Sequence, residues 1–241
     1  MLCADDGPES PPTDRLAPGL AGLRAAGAGR RALEVSIGSQ ALAGELTLVR
    51  EARGLVIFAH GSGSSRRSPR NRMVAEVLQS YHLNTLLFDL LSATEGADRN
   101  RAFDVDLLSA RLVEALSWAR AQEETGRLCV GLFGASTGAA AVLRTAACHP
   151  AWVSTLVCRG GRPDLALPWL EQVQAPTLLI VGGLDGGVLR LNRAAARALH
   201  GEWRLEVVPG ATHLFEEAGA METVAHLAGN WFIDHMRVQV R

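Results

Sequence analysis

From Ala32 onward, short apolar runs alternate with longer segments whose apolar residues recur at helical spacing. Gly54-Leu55-Val56-Ile57-Phe58-Ala59 and Leu128-Cys129-Val130-Gly131-Leu132-Phe133 are apolar throughout. Such runs describe central parallel strands, because both of their faces are covered. Residues 84–89, 154–158, 177–181 and 205–208 read as further strands. Residues 32–37 and 41–49 read as an antiparallel pair turning at Gly38-Ser39. Ser68-Pro69 marks a helix start, a cap followed by proline at the first helical position, and the helix runs to about Ser80. A long amphipathic helix is expected over residues 103–123, with Leu108, Leu112, Ala115 and Ala119 on one face. A last helix over 221–236 places Val224, Leu227, Ala228, Trp231 and Phe232 for burial.

Strands and helices in alternation imply an α/β fold, a mostly parallel central sheet flanked by helices on both faces. Ligands in such folds bind at the carboxyl ends of the strands. His60, Asp89, Ser136, Arg159, Asp185 and His213 all fall at or just past expected strand ends. The stretch between Gly161 and Pro176 is too short for a cap domain. Residues 1–31 carry no periodic pattern and read as a flexible leader, and 32–241 as a single domain.

Composition narrows the chemistry. The 241-residue chain is 48% hydrophobic and 20% charged, with a formal net charge of -1. Nucleic-acid binders usually concentrate positive charge, so nucleic acid is not expected as a partner. All 24 basic residues are arginine, which excludes a lysine Schiff base, a P-loop lysine or a Ser-Lys dyad. Cys3, Cys129, Cys148 and Cys158 show no metal-ligand spacing, and neither metal nor cofactor is expected. Cys129 and Cys158 fall in expected strands, where a thiol behaves as a small buried hydrophobe. No apolar stretch approaches the ~18 residues of a membrane span. The acidic N-terminus does not resemble an export signal, so the expected location is cytoplasmic.

The strongest local signal is Gly134-Ala135-Ser136-Thr137-Gly138, set between an apolar strand and an alanine-rich helix former. Gly-x-Ser-x-Gly in that setting describes a nucleophile elbow. A serine hydroxyl is a poor nucleophile at neutral pH and needs a base that an acid orients. Asp185 ends the run Thr177-Leu178-Leu179-Ile180-Val181-Gly182-Gly183-Leu184-Asp185, and His213 follows the last strand. The order Ser136, Asp185, His213 is that of an α/β-hydrolase triad. Asp164 is the competing acid, while His200, His226 and His235 fall in expected helices. For the oxyanion, the backbone N–H of Thr137 is one candidate donor. The N–H of Ser62, in the loop His60-Gly61-Ser62-Gly63-Ser64-Ser65, is the other. His60 is expected to hold that loop by hydrogen bonds.

Ala59-His60-Gly61-Ser62-Gly63, Gly134-Ala135-Ser136-Thr137-Gly138-Ala139-Ala140 and Pro209-Gly210-Ala211-Thr212-His213-Leu214-Phe215 resemble the dienelactone-hydrolase-like branch of the α/β-hydrolase superfamily. The resemblance covers nearly everything after residue 32, and looks close to small bacterial members that sometimes occur fused to a phosphoribosyltransferase domain. It implies the triad Ser136, Asp185 and His213, with Ser62 and Thr137 at the oxyanion. True dienelactone hydrolases use cysteine where this chain has Ser136, so the resemblance bears on the chemistry more than on the substrate.

These readings describe a serine hydrolase acting on a small ester, thioester or lactone. An acyltransferase or peptidase on the same triad and a non-catalytic binding module are the alternatives. The expected partner is a small acyl substrate, without nucleic acid or membrane, and a homodimer is left open. Arg66, Arg67, Arg70 and Arg72 crowd a helix start, where the macrodipole disfavours cations. Either ion pairs to Asp98, Asp104 or Asp106 offset this, or Arg66 meets a substrate carboxylate or phosphate at the rim. Arg159 divides between the same two roles, and Trp169 is a candidate wall of the acyl pocket.

Overall fold

In this computed structural model, residues 23–25 and 29–236 are described. Nine strands form one sheet: β1 (Leu23–Ala25), β2 (Arg30–Ile37), β3 (Leu42–Val49), β4 (Gly54–Ala59), β5 (Leu83–Phe88), β6 (Val130–Ala135), β7 (Thr155–Arg159), β8 (Thr177–Gly182) and β9 (Trp203–Val208). Their order is β1-β2-β3-β5-β4-β6-β7-β8-β9. The first three strands are antiparallel to their neighbours, and the run from β5 to β9 is parallel. Strand order reverses between β5 and β6 around β4, so the crevice at the carboxyl ends of β4 and β6 is where this topology receives a ligand.

The apolar runs are central because alternate residues feed two cores. From β4, Leu55 and Ile57 enter the layer beneath α4 (Val105–Ala121) and α5 (Thr137–Cys148). Val56 and Phe58 enter the opposite layer, beneath α1 (Pro69–Ser80) and α7 (Ala220–His235). Phe58 meets Phe133 of β6 there, ring centroids 4.9 Å apart. The Ser68 hydroxyl accepts the Asn71 N–H and Pro69 opens α1, as the dipeptide predicts.

Several elements depart from the sequence expectation. Leu23–Ala25, assigned to the leader, pairs with Arg31–Leu33 as an edge strand, while residues 1–22 and 26–28 of that leader lie outside the described residues. Two short helices, α2 (Ala93–Ala97) and α3 (Arg99–Ala102), precede α4. A 3-10 helix, Pro163–Gln172, fills the gap after β7 and buries Ala166 and Leu170 in the α4–α5 core. It is packed into the domain, and among the described residues there is no separate cap domain. Helix α6 (Gly186–Ala196) joins β8 to β9. His200 lies beyond the end of α6, outside any helix. No described helix is long and apolar enough to cross a membrane.

Candidate active site

Ser136 sits between β6 and α5 at φ 52°, ψ -117°. Such a state costs a residue with a side chain about 1–3 kcal/mol and persists only where the surroundings over-determine it. Here they do. The Ser136 N–H donates to the Arg159 carbonyl at 3.1 Å, and the Ser136 carbonyl accepts from Ala139 and Arg162, each at 3.1 Å. Glycine is required on both sides: a Cβ at Gly134 would lie 2.6 Å from Ala139 Cα, and one at Gly138 would strike the Ala59 carbonyl oxygen. Gly61 passes close by, since a Cβ there would lie 3.1 Å from Ser136 Cβ.

Asp185 caps α6, one carboxylate oxygen accepting the Val188 N–H at 3.3 Å. Its other oxygen lies 2.7 Å from His213 Nδ1. An ionised carboxylate only accepts, so Nδ1 carries the proton and Nε2 of the neutral ring keeps the lone pair. The His213 loop is tied at both sides: Leu184 N–H donates to the Ala211 carbonyl, and Thr212 N–H to the Glu217 carboxylate at 3.1 Å. A Cβ at Gly160 would lie 3.4 Å from His213 Cε1, so the imidazole rests against Gly160. That residue directly follows Arg159, whose carbonyl holds Ser136. Ser136 and His213 therefore flank the same turn. Asp164 is engaged by Arg162 in two hydrogen bonds of 2.8 and 2.7 Å.

The loop after β4 is pinned by His60. Leu90 N–H donates to Nε2 at 3.0 Å, which leaves Nδ1 as the nitrogen that donates to the Gly61 carbonyl, also at 3.0 Å. Burial pushes this imidazole below its usual range, against the opposing effects of Gly61 and Asp89. Ser62 and Thr137 are brought together, but not as parallel backbone donors: the Ser62 N–H donates to the Thr137 hydroxyl at 2.8 Å. Both residues line a cavity of about 570 Å³, whose wall also includes Arg66, Asp89, Leu91 and Ala102.

Of the three residues expected to meet substrate, Arg66 lines the cavity and Arg159 and Trp169 do not. Arg66 lines the cavity, but Asp89 holds it twice, accepting from its backbone N–H at 2.7 Å and its guanidinium at 2.5 Å. Its neighbours pair with Glu216 (Arg70) and Glu45 (Arg72). Asp98 and Asp104 instead cap α3 and α4, and Asp106 pairs with Arg144. Arg159 does not line the cavity and is 6% exposed; its guanidinium carbon lies 5.8 Å from the Phe215 ring centroid, and its buried Nε has no hydrogen-bond partner among the described residues. Burial, with Arg70 as a nearby like charge, pushes it down to about 10. Trp169 packs on the 3-10 helix beneath Arg144, whose guanidinium lies 4.9 Å from its ring centroid, and it walls no part of the cavity. Cys158 is fully buried in β7, its thiol pushed up to about 12 by burial.

The sequence reading missed the α2–α3 wall. Ser92-Ala93-Thr94-Glu95 carries its signal, a capping box in which each side chain bonds the other's backbone N–H. Glu95 also receives Arg101 and Arg111. Among the described residues, no cluster of histidine, cysteine or carboxylate side chains could hold a metal ion.

No family model matches the chain. Two Mycobacterium tuberculosis proteins, from strains CDC 1551 / Oshkosh and ATCC 25618 / H37Rv and each named "Putative phosphoribosyl transferase", are 54% identical over 204 residues, 85% of this chain. The chain spans 46% of their length. A crystal structure of dienelactone hydrolase from Anabaena variabilis ATCC 29413 is 51% identical, covers 86% of this chain and 98% of its own, and superposes with a TM-score of 0.82. Est1E from Butyrivibrio proteoclasticus is 14% identical, covering 86% of this chain and 99% of its own at a TM-score of 0.71, and shares the fold.

Proposed function

Because the chain belongs to the dienelactone-hydrolase-like branch of the α/β hydrolases, we propose that it is a serine hydrolase of small carboxylic esters, thioesters or lactones. In this reading His213 Nε2 takes the Ser136 proton as the hydroxyl oxygen attacks the acyl carbon. The tetrahedral intermediate collapses, the leaving group departs with that proton, and an acyl-enzyme remains. His213 then draws a proton from water as the water oxygen attacks the acyl carbon, and returns it to the Ser136 oxygen as the acyl–serine bond breaks and the acid leaves. Asp185 fixes the imidazole tautomer and stabilises its cationic form. No step requires a metal or cofactor.

The observation that carries the reading is the Asp185–His213 pair at 2.7 Å, resting on the same turn that holds Ser136 at positive φ. The mycobacterial relatives' name describes proteins of which more than half lies outside the matched region, so we assign hydrolysis to the region matched here. A fluorophosphonate probe should label the protein at Ser136, and Ser136→Ala should lower kcat by about 10⁶. Undiminished ester turnover by Ser136→Ala would overturn the proposal.

A further inference from the structure

Thr137 is 1% exposed, yet its hydroxyl has an unusual hydrogen-bond inventory. It accepts the Ser62 N–H at 2.8 Å, and its own proton has no acceptor among the described residues. A helical threonine commonly spends that proton on the carbonyl four residues back, as Thr145 does on Ala141 at 2.8 Å. Thr137 cannot follow the habit, because it opens α5 and the residue four back, Phe133, belongs to β6. With one lone pair turned to Ser62, the O–H bond is turned away from it, in a residue that directly follows Ser136 and lines the cavity together with Ser62. The Thr137 N–H is also uncommitted within the helix, as the first N–H groups of any helix are.

Resting on the hydrolase reading above, we propose that Thr137 is a catalytic residue whose side-chain hydroxyl, together with its own N–H, donates to the oxyanion. The Ser62 N–H then acts one step back, holding and polarising that hydroxyl instead of touching substrate. As the Ser136 oxygen bonds to the acyl carbon, the carbonyl π pair moves onto the substrate oxygen and the serine proton passes to His213. Thr137 keeps its proton throughout and contributes only the hydrogen bond. When the intermediate collapses, the pair returns to the carbonyl and the bond to the leaving group breaks.

The geometry makes opposite predictions for the two donor assignments. Thr137→Val keeps shape but removes the hydroxyl. If the hydroxyl is the donor, kcat on a p-nitrophenyl ester falls by about 10²–10³ with KM within about threefold, the usual size of one lost oxyanion donor. Thr137→Ser, which restores the hydroxyl, recovers kcat to within about tenfold of the wild type. A Thr137→Val enzyme at or above the wild-type kcat would make Ser62 the direct donor and overturn the proposal. So would Thr137→Ser as slow as Thr137→Val. Should the valine variant fail to fold, Thr137→Ala decides, with a loss of at least about tenfold expected and a wild-type rate fatal. Failure of the underlying hydrolase reading looks different: the wild type would take no fluorophosphonate and Ser136→Ala would match it.

Discussion

Asp185 divides its two oxygens between a backbone and a side chain, and the division separates stability from chemistry. One oxygen caps α6 and the other meets His213 Nδ1. Asparagine caps a helix about as well as aspartate, so Asp185→Asn should leave the thermal midpoint close to wild type. Its amide nitrogen, however, would face Nδ1 as a donor and force the proton onto Nε2, the nitrogen that must accept from Ser136. The expected loss in kcat is about 10⁴, the size known for the equivalent change in a serine protease. Asp185→Ala should lose the same activity and about 1 kcal/mol of stability with the cap. Calorimetry beside steady-state kinetics separates the two, and an active Asp185→Asn enzyme would remove Asp185 from the proposed triad.

At the scale of elements, the cavity wall depends on Glu95. It closes the capping box of α2 and receives Arg101 and Arg111, the last a largely buried guanidinium that Glu114 also contacts. Glu95→Ala should cost about 2 kcal/mol, since the capping box opens and a buried charge keeps only one partner. The wall touches no reacting atom, so KM should rise while kcat holds; a kcat collapse with unchanged KM would contradict this placement. The signal for α2 lies in four consecutive residues and was readable. Helix α6 was not, because Gly186-Gly187 reads as loop, and the helix exists through the Asp185 cap and the burial of Asn192, Ala195 and Ala196. Pro163 and Pro168 hid the 3-10 helix in the same way, by arguing against regular structure. The strands β4 to β8 were legible because each is buried on both faces. Ser136 and Asp185 were legible for that reason, each following a buried strand, β6 and β8; His213 follows the more exposed β9 and was legible from the chain order of the three residue types. The Asp89 partner of Arg66 was not, since it arises only once β4 and β5 lie side by side.

Across the whole molecule, stability and the site are linked through His60, whose ring ties the loop after β4 to the loop after β5. Both nitrogens are committed: a second ring proton would face the Leu90 N–H, itself only a donor. Burial accordingly holds the folded-state imidazole below its ordinary value of 6.5. The unfolded chain protonates this histidine near 6.5 and the folded chain resists. Its effect on stability is therefore absent above that pH and grows as a penalty on the fold as pH drops, until the folded-state value is passed. His149 is shifted in the same direction, so the penalty is shared. His60→Asn retains a donor for the Gly61 carbonyl but leaves the buried Leu90 N–H without an acceptor, which should cost about 1–3 kcal/mol at about pH 8. Lacking the ring, the variant escapes the acid penalty at this position. Urea midpoints of the two proteins should therefore converge between about pH 8 and pH 5. A gap that stayed constant over that range would show that residue 60 takes up protons alike in the folded and unfolded chains.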